Sequence, residues 1–285
     1  MAVTAANPQV LEFYKSLPFN YHGSASAQAN MIRARDAVEA YPVLLPLLRP
    51  GLTVLEVGCG AGWFALSLRL HHRCQVLGID FNPVAVARAT EMAQLLRQDV
   101  RFEVADLFAF DLPQPVELVV SLGVLHHTND CHWALERICN RFVRPGGHVF
   151  IGLYHAHGRR CFLDHFAQMK ARRVSEEAMF AEYRRLHAQL QDDVFARSWF
   201  RDQVLHPHET QHTLAELWPL LDRWGMELCA TSINRFQPMS SREALIEAEQ
   251  KLEGDAAEAL RRGEYFPGFF VFLARKRPDA ADGRG

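Results

Sequence analysis

Thr53-Val54-Leu55-Glu56-Val57-Gly58-Cys59-Gly60-Ala61-Gly62 is the stretch from which the fold is read. Its first five residues are a short apolar run, the mark of a buried strand. Three glycines at alternate positions follow, and after them an amphipathic run over 63–70. This is a strand, a tight turn and a helix start. Glycines let a ligand reach the backbone because no Cβ stands in the way, and the helix start offers free N–H groups. A dinucleotide fold wants G-x-G-x-x-G with a pyrophosphate on the helix N-terminus. Here the spacing is Glu56-x-Gly58-x-Gly60-x-Gly62, and the acid two residues before the first glycine suits a cation better than a diphosphate.

Working outward, 75–80 reads as a second strand ending in Asp80, 24 residues beyond Glu56. In nucleotide-binding βαβ units an acid about 20 residues past the glycine turn takes the ribose hydroxyls, and two carboxylate oxygens match two vicinal donors. Pro83 fits the first position of the following helix, and Phe81 is placed to pack on an adenine. A third strand over 100–104 runs into Ala105-Asp106-Leu107-Phe108. Taken alone, Asp106 reads as a helix cap. A fourth strand over 116–122, ending at Leu122, continues as Gly123-Val124-Leu125-His126-His127. A helix over 131–142, the turn Arg144-Pro145-Gly146-Gly147 and a fifth strand over 148–153 complete the alternation.

The acid with its glycine triplet, the Gly123-Val124-Leu125-His126-His127 loop and the Pro145-Gly146-Gly147 turn together resemble the class I S-adenosylmethionine-dependent methyltransferases, over about 54–153. The resemblance implies an α/β fold, a doubly wound, mostly parallel seven-stranded sheet with a helical cap insertion. It implies S-adenosyl-L-methionine as cofactor, held by Glu56, Gly58, Gly60, Gly62, Asp80, Phe81, Asp106, Leu107 and Leu122. In the family the position of Asp106 reads the adenine amino group. Ligands sit outside the carboxyl ends of such strands, so the His126-His127 loop should face the reactive methyl.

The expected organisation is an N-terminal helical and aromatic lid over 1–50, a cofactor core over 51–154, a cap insertion over 155–212, the C-terminal part of the core over 213–277, and a loose tail over 278–285. Tyr14, Phe19 and Tyr21 are candidates for lid contacts with substrate, against a plain packing role. The insertion reads as helices over 162–172, 175–190 and 194–202. Insertions of this size are usually functional, and this one is expected to cover the carboxyl edge. Thr213-Leu214-Ala215-Glu216 is a capping box and Gly225 a helix stop. A strand over 226–233, helices over 242–252 and 255–262, and a strand over 269–274 end the pattern, matching the family's reversed edge pair.

Eleven of the 14 histidines fall between His126 and His212. His206 and His208 suggest a hydrogen-bonded loop at the mouth of the acceptor pocket. With Glu209 and His212 they are metal ligands by type, but no zincin-like pattern exists, and no metal is expected. His127 is the candidate general base, its ordinary pKa lying near neutrality, against a role in bonding the loop backbone. Tyr154, at the tip of the fifth strand, would orient an acceptor or set its ring near a sulfonium. Arg201 would hold an acceptor carboxylate bidentately, against pairing with Asp202 or Glu209.

Composition bounds the rest. With 285 residues, 49% hydrophobic and 22% charged, the chain is an ordinary globular one. A net charge of −2 gives no basic field for nucleic acid or membrane. Six scattered cysteines include no C-x-x-C pair, so neither a disulfide frame nor a zinc knuckle is indicated. The first residues lack a secretory pattern, so a cytoplasmic enzyme is expected. The expected reaction is methyl transfer to a small polar metabolite, an acidic one if Arg201 binds it. Two rivals are an enzyme that cyclises or cleaves the cofactor itself, and a non-enzymatic binding protein.

Overall fold

A computed structural model describes residues 7–20, 24–190, 192–239 and 241–278. Tyr21 and the tail beyond Pro278 therefore lie outside the described residues. Two helices, α1 (Pro8–Ser16) and α2 (Ala25–Ala34), precede the sheet. The core alternates as expected: β1 (Thr53–Val57), α3 (Trp63–His72), β2 (Gln75–Asp80), α4 (Pro83–Leu96), β3 (Arg101–Val104), β4 (Val116–Leu122), α5 (Cys131–Arg137) and β5 (Val143–Tyr154). The insertion supplies α6 (Ala156–Ala171), α7 (Glu176–Leu186) and α8 (Asp193–Phe200). Then come α9 (Leu214–Arg223), β6 (Met226–Thr231), α10 (Arg242–Arg261) and β7 (Phe269–Lys276).

The sheet has seven strands in the order β3-β2-β1-β4-β5-β7-β6. All neighbours are parallel except β7, which runs antiparallel to both β5 and β6. The strands at the centre are buried on both faces, which is why β1 and β4 read as continuous apolar runs rather than alternating ones. One apolar layer packs α5 and α9 on the sheet through Leu135, Ile138, Leu214, Leu217 and Leu221. The opposite layer packs α3 and the short 3-10 turn Pro42–Leu47 through Phe64, Leu68 and Leu44. The insertion builds a core of its own from Phe162, Phe166, Phe180, Tyr183 and Phe200.

Several boundaries differ from expectation, and β5 begins at Val143, so that 144–147, read from the sequence as a turn, lie within it. The helix after β4 ends at Arg137 and is followed by a π-turn, Ile138–Phe142. The first insertion helix starts six residues early, at Ala156, because His155 caps it through Nδ1, which accepts from the Gly158 N–H at 3.1 Å. The break expected near Gly254 does not occur: α10 runs through it, since Leu245, Glu249, Ala256 and Ala259 keep one face buried, and helix propensity yields to packing. Glu249 is 1% exposed. It accepts from the Leu214 and Ala215 N–H groups at the start of α9, and its Oε1 is 2.9 Å from Nε2 of His155. One carboxylate of α10 thus ties the starts of α6 and α9.

Candidate active site

A cavity of about 550 Å³ opens at the carboxyl ends of β1, β2, β4 and β5, with α1 across its mouth. At one end lies the glycine turn. Gly58 (φ +75°) is wedged against Val124, whose Cγ2 would be 2.3 Å from an added Cβ, so no other residue fits there. Gly60 (φ +50°) lines the cavity with nothing within 4 Å of its Cβ position, leaving the backbone open to a ligand. The Asp80 carboxylate accepts from the Gly60 N–H at 2.9 Å and the Asn82 N–H at 2.8 Å. Each of its oxygens keeps a free lone pair for a hydroxyl, and burial raises its pKa. Glu56 accepts from the Ala65 N–H at 2.8 Å, and burial pushes it up to about 8. Asp106 caps the turn after β3, accepting from the Phe108 N–H at 3.0 Å, and also lines the cavity. Phe81, Leu107 and Leu122 line the same end.

The other end is aromatic, with Tyr14, Phe19, Trp199, Tyr265 and Phe269 in its walls. Asp202 is its charged group. Both Tyr14, from α1, and Tyr154, from the tip of β5, donate their hydroxyls to it, Tyr154 at 2.8 Å. The His127 ring lies against the same carboxylate, Nε2 at 3.6 Å from Oδ1. Its Nδ1 is 3.0 Å from the His208 carbonyl, which accepts the N–H and fixes the tautomer. Nε2 is left with its lone pair and no hydrogen-bond partner. Burial pulls His127 down to about 4, so its imidazole is neutral. Among the described residues the acids lining the cavity are Glu56, Asp80, Asp106 and Asp202, and no Lys or Arg lines it.

A family model described as a methyltransferase domain matches residues 48–194. This chain belongs to that family, the class I S-adenosylmethionine-dependent methyltransferases. Among curated relatives, the ubiquinone biosynthesis O-methyltransferase of Pseudomonas paraeruginosa is 38% identical over 104 residues, 35% of this chain and 44% of the relative. That of Pseudomonas putida (strain GB-1) is 34% identical over 102 residues, 35% and 43%. The matches thus span less than half of these relatives. Solved structures share the fold: PKMT2 from Rickettsia typhi (TM-score 0.60, 14% identity, 94% of this chain and 55% of that one), and a methyltransferase from Mesorhizobium loti (0.51, 22%, 86% and 100%).

Within this methyltransferase fold several expected residues sit elsewhere than the sequence suggested. Gly62 does not line the cavity. It opens α3 with φ +81°, and an added Cβ would meet Phe102, Ala89 and Leu66 at 3.0–3.1 Å, so its role is packing. Arg201 is not in the cavity either, and it pairs with neither Asp202 nor Glu209. Its guanidinium donates to the Phe13 carbonyl and to Ser16 Oγ at 2.7 Å and lies 4.6 Å over the Phe13 ring, clamping α1. Tyr154 presents its hydroxyl and not its face. The His126 ring stacks on it at 4.0 Å and the Arg159 guanidinium lies 3.9 Å from its centroid. Two partners that close cannot share a face, so no sulfonium reaches the ring.

His206 and His208 form a layer behind the cavity. The His206 ring lies 3.7 Å from that of His127, and His208 Nε2 is 2.9 Å from the Thr128 carbonyl. Glu209 takes a bidentate pair from the buried Arg159, Nε at 2.9 Å and Nη2 at 2.7 Å, so His206, His208, Glu209 and His212 do not converge on a metal. Asp202, Trp199, Gln203, Tyr265 and Phe269 were not singled out from the sequence as site residues. The one available signal was the aromatic and polar run Trp199-Phe200-Arg201-Asp202-Gln203, of which Trp199, Asp202 and Gln203 line the cavity.

Proposed function

We propose that the protein transfers the methyl group of S-adenosylmethionine to an oxygen or nitrogen of a small metabolite bound beneath α1. Glu56, Gly58, Gly60, Asp80, Phe81, Asp106, Leu107 and Leu122 would hold the cofactor. The glycine turn offers open backbone, and Asp80 has lone pairs to spare. The cofactor supplies the electrophilic methyl when bound. The chain's own work is to orient the acceptor, exclude water and take its proton.

The observation that carries this reading is the juxtaposition of Asp202 with a neutral His127 whose Nε2 is without a hydrogen-bond partner, at the acceptor end. Two proton acceptors lie there side by side, with two phenols holding the carboxylate in place. An acceptor O–H or N–H is drawn to Asp202, and the proton it loses rests on the Asp202–His127 pair. An acidic acceptor is disfavoured, because a carboxylate would be buried among acids with no Lys or Arg among the described residues of the walls. The O-methylation named for the Pseudomonas relatives fits a hydroxyl acceptor with an apolar body.

The test is incubation with S-adenosylmethionine alone and then with a metabolite extract, reading products by mass. A new product one methylene heavier than a metabolite, with S-adenosylhomocysteine formed in equal amount, is the expected result. Consumption of the cofactor alone would favour cyclisation or cleavage instead. Binding without consumption would favour a non-enzymatic role.

A further inference from the structure

Outside the cavity, three side chains from three different elements converge. His132 lies at the start of α5, His212 just before the cap of α9, and Glu216 in the first turn of α9. The Glu216 Oε1 is 2.6 Å from His132 Nε2 and 3.2 Å from His212 Nδ1. The three donor atoms all lie within 4.8 Å of one another. None of the three lines the cavity.

We propose that His132, His212 and Glu216 form a site for a zinc-class divalent cation that clamps the loop holding His127. Two imidazoles and one carboxylate are the donor set that late first-row divalent ions take, with bonds near 2.0–2.2 Å. Donors arranged around such an ion stand roughly 3–4 Å apart, so the cluster needs only a small outward shift of the half-exposed His132 to admit one. The ligand behind it is already oriented: His212 Nε2 is 2.9 Å from Thr210 Oγ1, the outer-shell contact that fixes a ligating ring. Among the described residues the ion pairs of Glu216 are with these two histidines alone, so no Lys or Arg already occupies the position of a cation. His132 is 45% and Glu216 37% exposed at the side chain, leaving a path for entry and an open position for water.

The site has a consequence for the cavity. The Thr210 N–H donates to the His126 carbonyl at 2.8 Å, and the His212 N–H to the Tyr154 carbonyl at 2.9 Å. The His208 carbonyl holds His127. An ion joining His212 to α5 therefore stiffens the segment that fixes the His127 tautomer.

The experiment is calorimetric titration of the metal-stripped full-length protein with zinc alone. One equivalent should bind, and His132→Ala should weaken it at least tenfold. His165→Ala, whose ring pairs with Glu182 elsewhere, should leave it unchanged. Cobalt should give visible d–d absorption that His132→Ala abolishes, and zinc should slow amide exchange over 206–212. His132 is half-exposed, so its removal spares the fold. Absent zinc binding, or binding that His132→Ala leaves intact or His165→Ala weakens equally, overturns the site.

Discussion

Tyr14 and Asp202, 188 residues apart in the chain, meet in one hydrogen bond across the mouth of the cavity. The phenol comes from α1 and the carboxylate from the turn that follows α8, so this contact joins the N-terminal helix to the segment between β5 and α9. Hydrogen bonds to charged groups contribute about 1.5–3 kcal/mol. Tyr14→Phe should therefore raise amide exchange over residues 8–16 and lower turnover about tenfold or more. Cofactor affinity should stay within a factor of two. Unchanged turnover would mean that the hold of α1 on Asp202 is irrelevant to the chemistry.

Asp80→Asn tests the cofactor end. The carboxylate accepts two backbone N–H groups, and an amide oxygen can replace only one of its oxygens. The glycine turn loses an anchor and the ribose an acceptor, a loss of roughly 1.5–3 kcal/mol. Calorimetry should find S-adenosylhomocysteine bound about tenfold or more weakly, and affinity equal to wild type would withdraw Asp80 from the site.

Arg159 is 1% exposed, bidentate on Glu209 and also donates to the Gln203 carbonyl at 2.7 Å. Removing one member of a buried pair strands the other and costs about 3–5 kcal/mol. Arg159→Met should lower the unfolding free energy from urea melts by that amount and loosen Tyr154, whose ring it covers. A loss below about 1 kcal/mol would show that Glu209 finds water instead.

The buried histidines weaken this protein in acid. Burial lowers His127 and His187 to about 4 and His206 to about 3. An imidazole whose folded pKa lies below its unfolded value near 6.5 takes its proton more readily when unfolded. The contribution of these rings is then full above about pH 6.5 and falls as the pH drops from 6.5 toward 4 and 3. For His127 alone the loss by pH 4 is on the order of 3 kcal/mol. Glu56, pushed up to about 8, and Asp80 and Asp202, also raised by burial, gain stability over the same range and oppose this loss. The imidazole part is therefore read as a difference. The melting temperature of His127→Asn should fall less than that of the wild type from pH 7.5 to 4.5, and equal falls would mean that the ring reaches solvent.

The cofactor half was legible because its signals are local. A glycine turn needs its φ values whatever packs around it, and acids at strand tips keep their register with the strands. The acceptor half depends on residues that only the tertiary fold brings together. A plain helical reading of 194–202 does not tell Arg201 from Asp202 as the inward residue. The π-turn Arg201–Leu205 decides it, since an extra residue per turn shifts which side chains face inward. Tyr154 was found from the end of its strand, but the ring's two covers, His126 and Arg159, come from elsewhere and removed the role expected for its face. The capping box at Thr213 and the stop at Gly225 were read correctly, because both are stated within four residues.

The buried carboxylate of Glu249 limits how this protein can be recombined. Residues 155–212 have the look of an insertion to be exchanged between relatives to change the acceptor. Cut out alone, however, that segment leaves His155 and the first amides of α9 without the group from α10 that receives them. The transferable unit is the whole of 155–278. A chimera that joins a foreign core at the tip of β5 and keeps everything after it should fold, whereas one that swaps only the cap should not.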